Sequence, residues 1–248
     1  MLSIVATPIG NLEDISARAV KALREADVIA CEDTRRTRIL LNHHHVPIPA
    51  YFISYREHQE GRAGAQLMGL LKEGKKVALC SDGGVPGISD PGYRLVRSAI
   101  EEKVALDVIP GASAVLVALV VSGLSTSSFT FRGFPPRKYG ALKRFFAEER
   151  NVPHTLIIFE SPFRVATTLR AAFEALGDRQ AAVCIELTKK FERTSRGFLR
   201  DLSAQFADLR IKGEVTIVIA GSNPKFCRRP PTQADDPEDD DRDITEGQ

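Results

Sequence analysis

Four glycine- and proline-rich turns, each following a short apolar run, hold most of the side chains that could do chemistry. The longest is Ser81-Asp82-Gly83-Gly84-Val85-Pro86-Gly87-Ile88-Ser89-Asp90-Pro91-Gly92, with four glycines and two aspartates in twelve residues. Glycine lets backbone approach a ligand closely, and aspartate accepts hydrogen bonds from an ammonium or a ribose. The same composition also fits a rigid Asx-type turn. Thr7-Pro8-Ile9-Gly10-Asn11-Leu12 lacks the spacing of a dinucleotide fingerprint or a phosphate loop. Pro110-Gly111-Ala112-Ser113-Ala114 opens an apolar helix, where Ser113 can cap and free N–H groups can hold a carboxylate. In Phe159-Glu160-Ser161-Pro162-Phe163-Arg164, Glu160 can accept from a ligand or pair with Arg164.

Charged clusters accompany these turns. Glu32-Asp33-Thr34-Arg35-Arg36-Thr37-Arg38 reads either as a capping acid before a solvated basic helix face or as a phosphate grip beside a carboxylate. Ser54–Glu60 is a polar turn that could line the same cleft. Arg132, Arg137, Lys138, Lys143 and Arg144, interleaved with Phe134 and Tyr139, form a second basic patch. Basic plus aromatic suits RNA, because phosphate attraction and base stacking are both available. A plain soluble surface loop has the same composition.

The elements that must position these residues alternate between strand and helix. Strands are expected at 2–6, 27–31, 50–54, 76–80 and 105–109, with helices at 12–25, 35–41, 61–72 and 93–101 between them. A helix at 113–121 and a linker near 122–128 follow. Further strands at 129–133, 155–159, 182–187 and 214–220 alternate with helices near 141–149, 164–176 and 202–209. Such alternation predicts an α/β fold with parallel or mixed sheets. The expected organisation is an N-terminal α/β domain over 1–121, a second over 122–223, and a disordered acidic tail over 224–248.

The 248 residues are 43% hydrophobic and 27% charged, which excludes disorder for most of the chain. The formal charge of +2 is not uniform. Residues 224–248 hold eight acidic and four basic residues, so a body at +6 carries a tail at −4. No apolar run is long enough to span a bilayer, and Met1–Ala6 reads as a strand instead of a signal peptide. Cys31, Cys80 and Cys184 sit in apolar stretches and are expected to be buried reduced thiols, which points to the cytoplasm. His43-His44-His45 resembles a metal tract, yet consecutive helical residues point apart, so no metal is expected.

Thr7–Leu12, Glu32–Thr37, Ser89–Tyr93, Pro110-Gly111-x-Ser113-Ala114, Glu160–Pro162 and Glu186–Lys190 occur in order from residue 2 to about 221. Together they resemble the small-subunit ribosomal RNA methyltransferase I family of the tetrapyrrole methylase superfamily. The resemblance implies two α/β domains, a homodimer, and S-adenosylmethionine held in the cleft between domains. It implies 2′-O-methylation of a decoding-centre cytidine, with 16S ribosomal RNA or the assembled small subunit as partner and neither DNA nor membrane. Cofactor contacts by matched position are Pro8, Asp82, Gly83, Val85, Ile88, Ser113, Ala114, Glu160 and Leu187. Departures are Phe163 and Arg56 where the family carries His, or His or Asn, and Gly84-Val85 in place of Ala-Thr or Gly-Thr. The acidic tail stands where many members have a small helical segment.

A ribose 2′-hydroxyl is a poor nucleophile, so transfer needs alignment and a proton acceptor. Glu32, Asp33 and Lys190 are the candidates, with Arg35, Arg36, Arg38, Arg137 and Lys138 on RNA phosphates. Asp33→Ala is then expected to abolish methylation while leaving cofactor binding intact. Two rival readings are a porphyrinoid methyltransferase of the same superfamily and a non-enzymatic RNA-binding assembly factor. The arginine-rich equipment favours RNA over a macrocycle by degree only.

Overall fold

A computed structural model describes residues 1–228. Apolar tetrads form the first sheet: β1 (Leu2–Val5), β2 (Val28–Cys31), β3 (Tyr51–Ser54), β4 (Val77–Cys80) and β5 (Leu106–Ile109). All pair in parallel in the order β3-β2-β4-β1-β5. The strands β1, β2 and β4 are buried along their whole length, as a sheet covered on both faces requires. Helices α1 (Ala17–Glu25) and α2 (Thr34–His43) cover one face. Helices α3 (Glu60–Lys72) and α4 (Tyr93–Glu101) cover the other. The chain thus leaves β1 toward one face and β4 toward the other. Adjacent strand ends that diverge in this way leave a crevice at the carboxyl edge.

The second sheet runs β6-β7-β10-β8-β9. It comprises β6 (Phe129–Phe131), β7 (Thr155–Glu160), β8 (Gln180–Ile185), β9 (Arg193–Phe198) and β10 (Val215–Ile219). Only β6 and β7 are parallel; the remaining pairs are antiparallel, so this sheet is mixed. Helices α6 (Tyr139–Glu148), α7 (Val165–Leu176) and α8 (Leu199–Gln205) cover one face. The other face is covered by α5 (Ala114–Ser122), whose Val115, Ala118 and Leu119 pack on Ile157, Ala182 and Val218. Packing therefore passes from the first sheet to the second ahead of α5, not at residue 121. An all-apolar helix needs a buried seat, and the second sheet provides it.

Other differences from expectation are local. The helix expected over 12–25 is a 3-10 turn at Leu12–Asp14 and then α1, because Ser16 caps the Ala19 amide. The strand β9, Arg-Thr-Ser-Arg-Gly-Phe, has no apolar alternation to reveal it. Residues 224–228 are ordered, not part of a disordered tail. They form a 3-10 turn at Pro224–Phe226, Cys227 bridges Arg179, and Arg228 stacks on Phe198 and pairs with Asp201. The acidic run from Asp235 lies outside the described residues. Cys31, Cys80 and Cys184 are buried free thiols, as expected. Of the histidine tract, His43 pairs with Glu13, and His44 Nε2 meets the Leu12 carbonyl.

Candidate active site

The carboxyl ends of β1, β4 and β5 face an edge of the second sheet built from the ends of β7 and β8 and the start of β10. Between these edges lies a cavity of about 680 Å³. The two long loops of the first sheet are stitched together at its floor. Thr7 and Gly84 exchange backbone hydrogen bonds of 2.9 Å, and the Thr7 hydroxyl donates to the Ser81 carbonyl. The glycines make room here. A side chain on Gly83 would come within 3.2 Å of the Pro8 carbonyl, and one on Gly111 within 2.9 Å of Ala6 Cβ. From the second sheet, the turn Leu187–Lys189 closes on Gly10, where any Cβ would overlap Lys189 and lie 2.8 Å from Thr188 Oγ1. The Asn11 amide donates to that Thr188 hydroxyl at 3.2 Å.

Most residues matched to cofactor contacts meet here: Pro8, Asp82, Gly83, Val85, Ile88, Ser113, Ala114 and Glu160 all line the cavity. Leu187 does not. Its side chain is buried in the apolar cluster under α5, so it supports the turn from below. Glu160 lines the cavity but is fully engaged. Its Oε1 accepts from the Ser161 amide at 2.7 Å and lies 3.2 Å from Arg164 Nη1; its Oε2 accepts from Thr168 at 2.5 Å. Of the two readings open for Glu160, the structure realises the pair with Arg164. Ser113 is the N-cap of α5 but makes no side-chain capping bond. The first-turn amides are thereby left available, with Ala114 and Val115 on the cavity wall.

The three proposed proton acceptors are rearranged. Asp33 is the N-cap of α2: it accepts from the Arg35 amide at 2.8 Å and from the Arg35 side chain at 2.6 Å. The Arg35 guanidinium, and then its amide, hold this carboxyl far below the usual range, which makes it a weak base. Glu32 is half-buried but does not line the cavity; burial first, and then the Asp82 carboxylate, push its pKa up. Lys190 is exposed beside the Phe191 ring, and the lysine on the cavity wall is its neighbour Lys189. Lys189 donates to Glu186 at 2.7 Å and to Glu214 at 3.1 Å. Burial opposes its charge, but the hydrogen bonds and negative charges of Glu186 and Glu214 together raise its pKa. Glu186 and Thr188 sit at φ +53° and +63°, so this turn is held in left-handed conformations.

Asp90 is the group that reading the loop left unassigned. It lines the cavity, and its pKa is pushed up to about 7. The causes are burial first and then the neighbouring carboxylate of Glu32, with Asp82 and Glu214 adding to them against a lowering by the Ser81 hydroxyl. The preceding Ser89 adopts φ +59°, which turns the loop sharply at this point. Asp82 accepts from the Asp33 amide at 2.9 Å and lies 3.5 Å from Arg36, so it ties this loop to the head of α2.

Among the described arginines, only Arg36 lines the cavity. Arg35 is paired with Asp33, and Arg38 lies over the Phe52 ring at 5.6 Å. Arg132 is paired with Glu148 and Glu149, and Lys143 with Glu174, so two of the five cations of the second basic patch are engaged. Arg137 and Lys138 are exposed on the loop entering α6. Arg56 donates to the Glu32 carbonyl at 3.1 Å, while Phe163 is 91% exposed and lines no part of the cavity.

The chemistry of the wall fits S-adenosylmethionine. Ile9, Val85, Val115 and Phe159 offer an apolar seat, the amides of α5 suit a carboxylate, and Asp82 and Asp90 suit a cation. A family model for Tetrapyrrole (Corrin/Porphyrin) Methylases matches residues 1–203. The chain is 46% identical over 224 residues to ribosomal RNA small subunit methyltransferase I of Halalkalibacterium halodurans, covering 90% of this chain and 77% of that one. For the Thermotoga maritima protein of the same name the identity is 43%, over 89% and 98%.

The chain belongs to the ribosomal RNA small subunit methyltransferase I family of tetrapyrrole methylases.

Solved structures of other enzymes share this fold at lower identity. Diphthine synthase aligns with TM-score 0.70 and 17% identity, over 88% of this chain and 89% of that one. Uroporphyrin-III C-methyl transferase from Thermus thermophilus, solved with S-adenosyl homocysteine, aligns with TM-score 0.61 and 18% identity, over 88% and 96%.

Proposed function

We propose that this methyltransferase I family member methylates the 2′-hydroxyl of a cytidine ribose in the decoding centre of 16S ribosomal RNA. At the coarser level it is an S-adenosylmethionine-dependent ribosomal RNA methyltransferase. The proposed setting is a cytoplasmic homodimer acting on 16S RNA or the assembled small subunit. The proposed units divide ahead of α5, with the cleft between them.

The observation that carries the ribose reading is the place of Asp90: a carboxylate on the cavity wall with no ion-pair partner among the described residues, where burial and then Glu32 push its pKa up to about 7. A general base works best when its pKa lies near the working pH. S-adenosylmethionine supplies a methyl group already activated by the sulfonium charge. Pro8, Gly83, Val85 and Ile88 hold it at the loops of the first sheet, and Ser113 and Ala114 hold it at the head of α5. Asp90 accepts the proton as the ribose oxygen becomes the nucleophile. Glu32 stands behind Asp90 and keeps it basic. Arg36 meets a phosphate at the cavity mouth, and Arg35, Arg38, Arg137 and Lys138 hold the strand further out. Asp33 shapes the head of α2 and carries no proton.

The test is transfer of a tritiated methyl group to isolated small subunits, followed by mapping of the labelled nucleotide. The expected label is a single 2′-O-methylcytidine. Label on a base, or none, contradicts the proposal.

A further inference from the structure

A buried carboxylate beneath the second basic loop has a use beyond its own neighbourhood. Glu160 ends β7 with its side chain fully buried, and the Arg164 guanidinium lies 3.2 Å from it at the head of α7. The guanidinium is half-buried, and its remaining donors are directed at the neighbouring loop. Its Nη2 donates to the Pro136 carbonyl at 2.7 Å, and its Nη1 lies 3.5 Å from the Pro135 carbonyl. Two consecutive prolines have no N–H to donate, so their loop cannot be tied into the sheet through its own amides. The arginine ties it through the carbonyls instead. A planar guanidinium held by a carboxylate on one edge can grip two acceptors with the other, which an ammonium cannot.

What this grip fixes is the segment 132–138. Gly133, at φ +61°, comes close enough that a Cβ there would lie 3.3 Å from Ser89 Oγ, the residue next to Asp90. Phe134 lines the cavity and packs edge-on against Phe159 at 5.6 Å. Arg137 and Lys138 follow directly, exposed and without ion-pair partners among the described residues.

We propose that Glu160 and Arg164 are positioning residues for the nucleic acid: they lock the Pro135-Pro136 loop so that Arg137 and Lys138 face the phosphates of the strand entering beside Asp90. This rests on the RNA reading above. It assigns Glu160 to the second substrate, whereas the family resemblance assigns it to S-adenosylmethionine.

The test uses the full chain, small subunits and S-adenosylmethionine. Arg164→Ala raises KM for subunits about tenfold, while kcat and the Kd for S-adenosylmethionine stay within about twofold. Arg164→Lys keeps the charge but reaches one carbonyl and gives an intermediate KM; it serves if the alanine variant folds poorly. The decisive readout is a cycle with the loop cations. Arg137→Ala/Lys138→Ala lowers the salt slope of log KM by about 1.4, the value for two single-stranded phosphate contacts. Adding Arg164→Ala to that pair changes KM no further, because both act through the same contacts. Additive effects, or an unchanged KM in both Arg164 variants, overturn the inference. A tighter dependence of S-adenosylmethionine binding than of KM on Arg164 also overturns it. Failure of the wild type to label subunits contradicts the RNA reading itself, and is seen before any variant is made.

Discussion

Along the first sheet's edge, Asp90 faces the cavity among other carboxylates, with no cation bonded to it among the described residues. Along the second sheet's edge, every charge on the cavity wall is engaged: Glu160 with Arg164, Ser161 and Thr168, and Lys189 with Glu186 and Glu214. A carboxylate crowded by like charges and burial is reactive toward protons; one saturated with donors is inert and rigid. The difference assigns chemistry to the first edge and geometry to the second. It also explains why a cleft needs both, since transfer demands a reactive group and a fixed approach.

That contrast can be broken most forcefully at Asp90. Asp90→Asn is expected to lower kcat by about 10²–10⁴, with the Kd for S-adenosylmethionine nearly unchanged by titration calorimetry. The inert edge has the opposite signature. Glu160→Ala removes the buried acceptor of the Ser161 amide and the Thr168 hydroxyl and leaves a half-buried guanidinium without its carboxylate, and should destabilise by about 2–4 kcal/mol in urea unfolding. Glu160→Gln, whose Oε1 still accepts from the Ser161 amide while its Nε2 donates to the Thr168 hydroxyl in place of the carboxylate oxygen that accepted from it, should lose less. At the seam between the edges, Gly10→Ala forces a methyl against Lys189 and Thr188 and pushes the turns apart. S-adenosylmethionine affinity should fall about tenfold, as the loss of about 1.4 kcal/mol of binding would give. The smallest effect belongs to Asp33→Ala. It removes a helix cap and leaves kcat within a few fold, against the expectation from its position alone.

Much of this fold is written in the chain's periodicity. Among the described residues, nine strands begin as apolar runs bounded by turns, whereas β9 is polar and carries exposed Arg193 and Arg196, so no apolar run marks it. The seat of α5 was illegible for the opposite reason: a helix apolar all round has no face to say which sheet it meets. The glycine-rich loops marked the cavity wall only as one of two readings, since the same glycines also serve tight turns. The proton acceptor did not announce itself. Asp33 and Asp90 are equally acidic as letters, and only the fold places one under Arg35 and the other among carboxylates. Lys189 and Lys190 differ by one step along a turn with two left-handed residues, which reverses the simple guess of which side chain points inward.

The central claim is that Asp90 takes the proton, and its sign is set by the raised pKa. Protonated, the group cannot act, so wild-type activity must fall as pH drops below about 7. The direct measurement is single-turnover methyl transfer to small subunits from about pH 5.5 to about pH 9, for wild type and Asp90→Asn. The wild-type log rate is expected to climb with unit slope and level near pH 7, and the variant to be slow and flat over the same range. A variant that keeps the wild-type inflection, at whatever rate, would place the proton on another group.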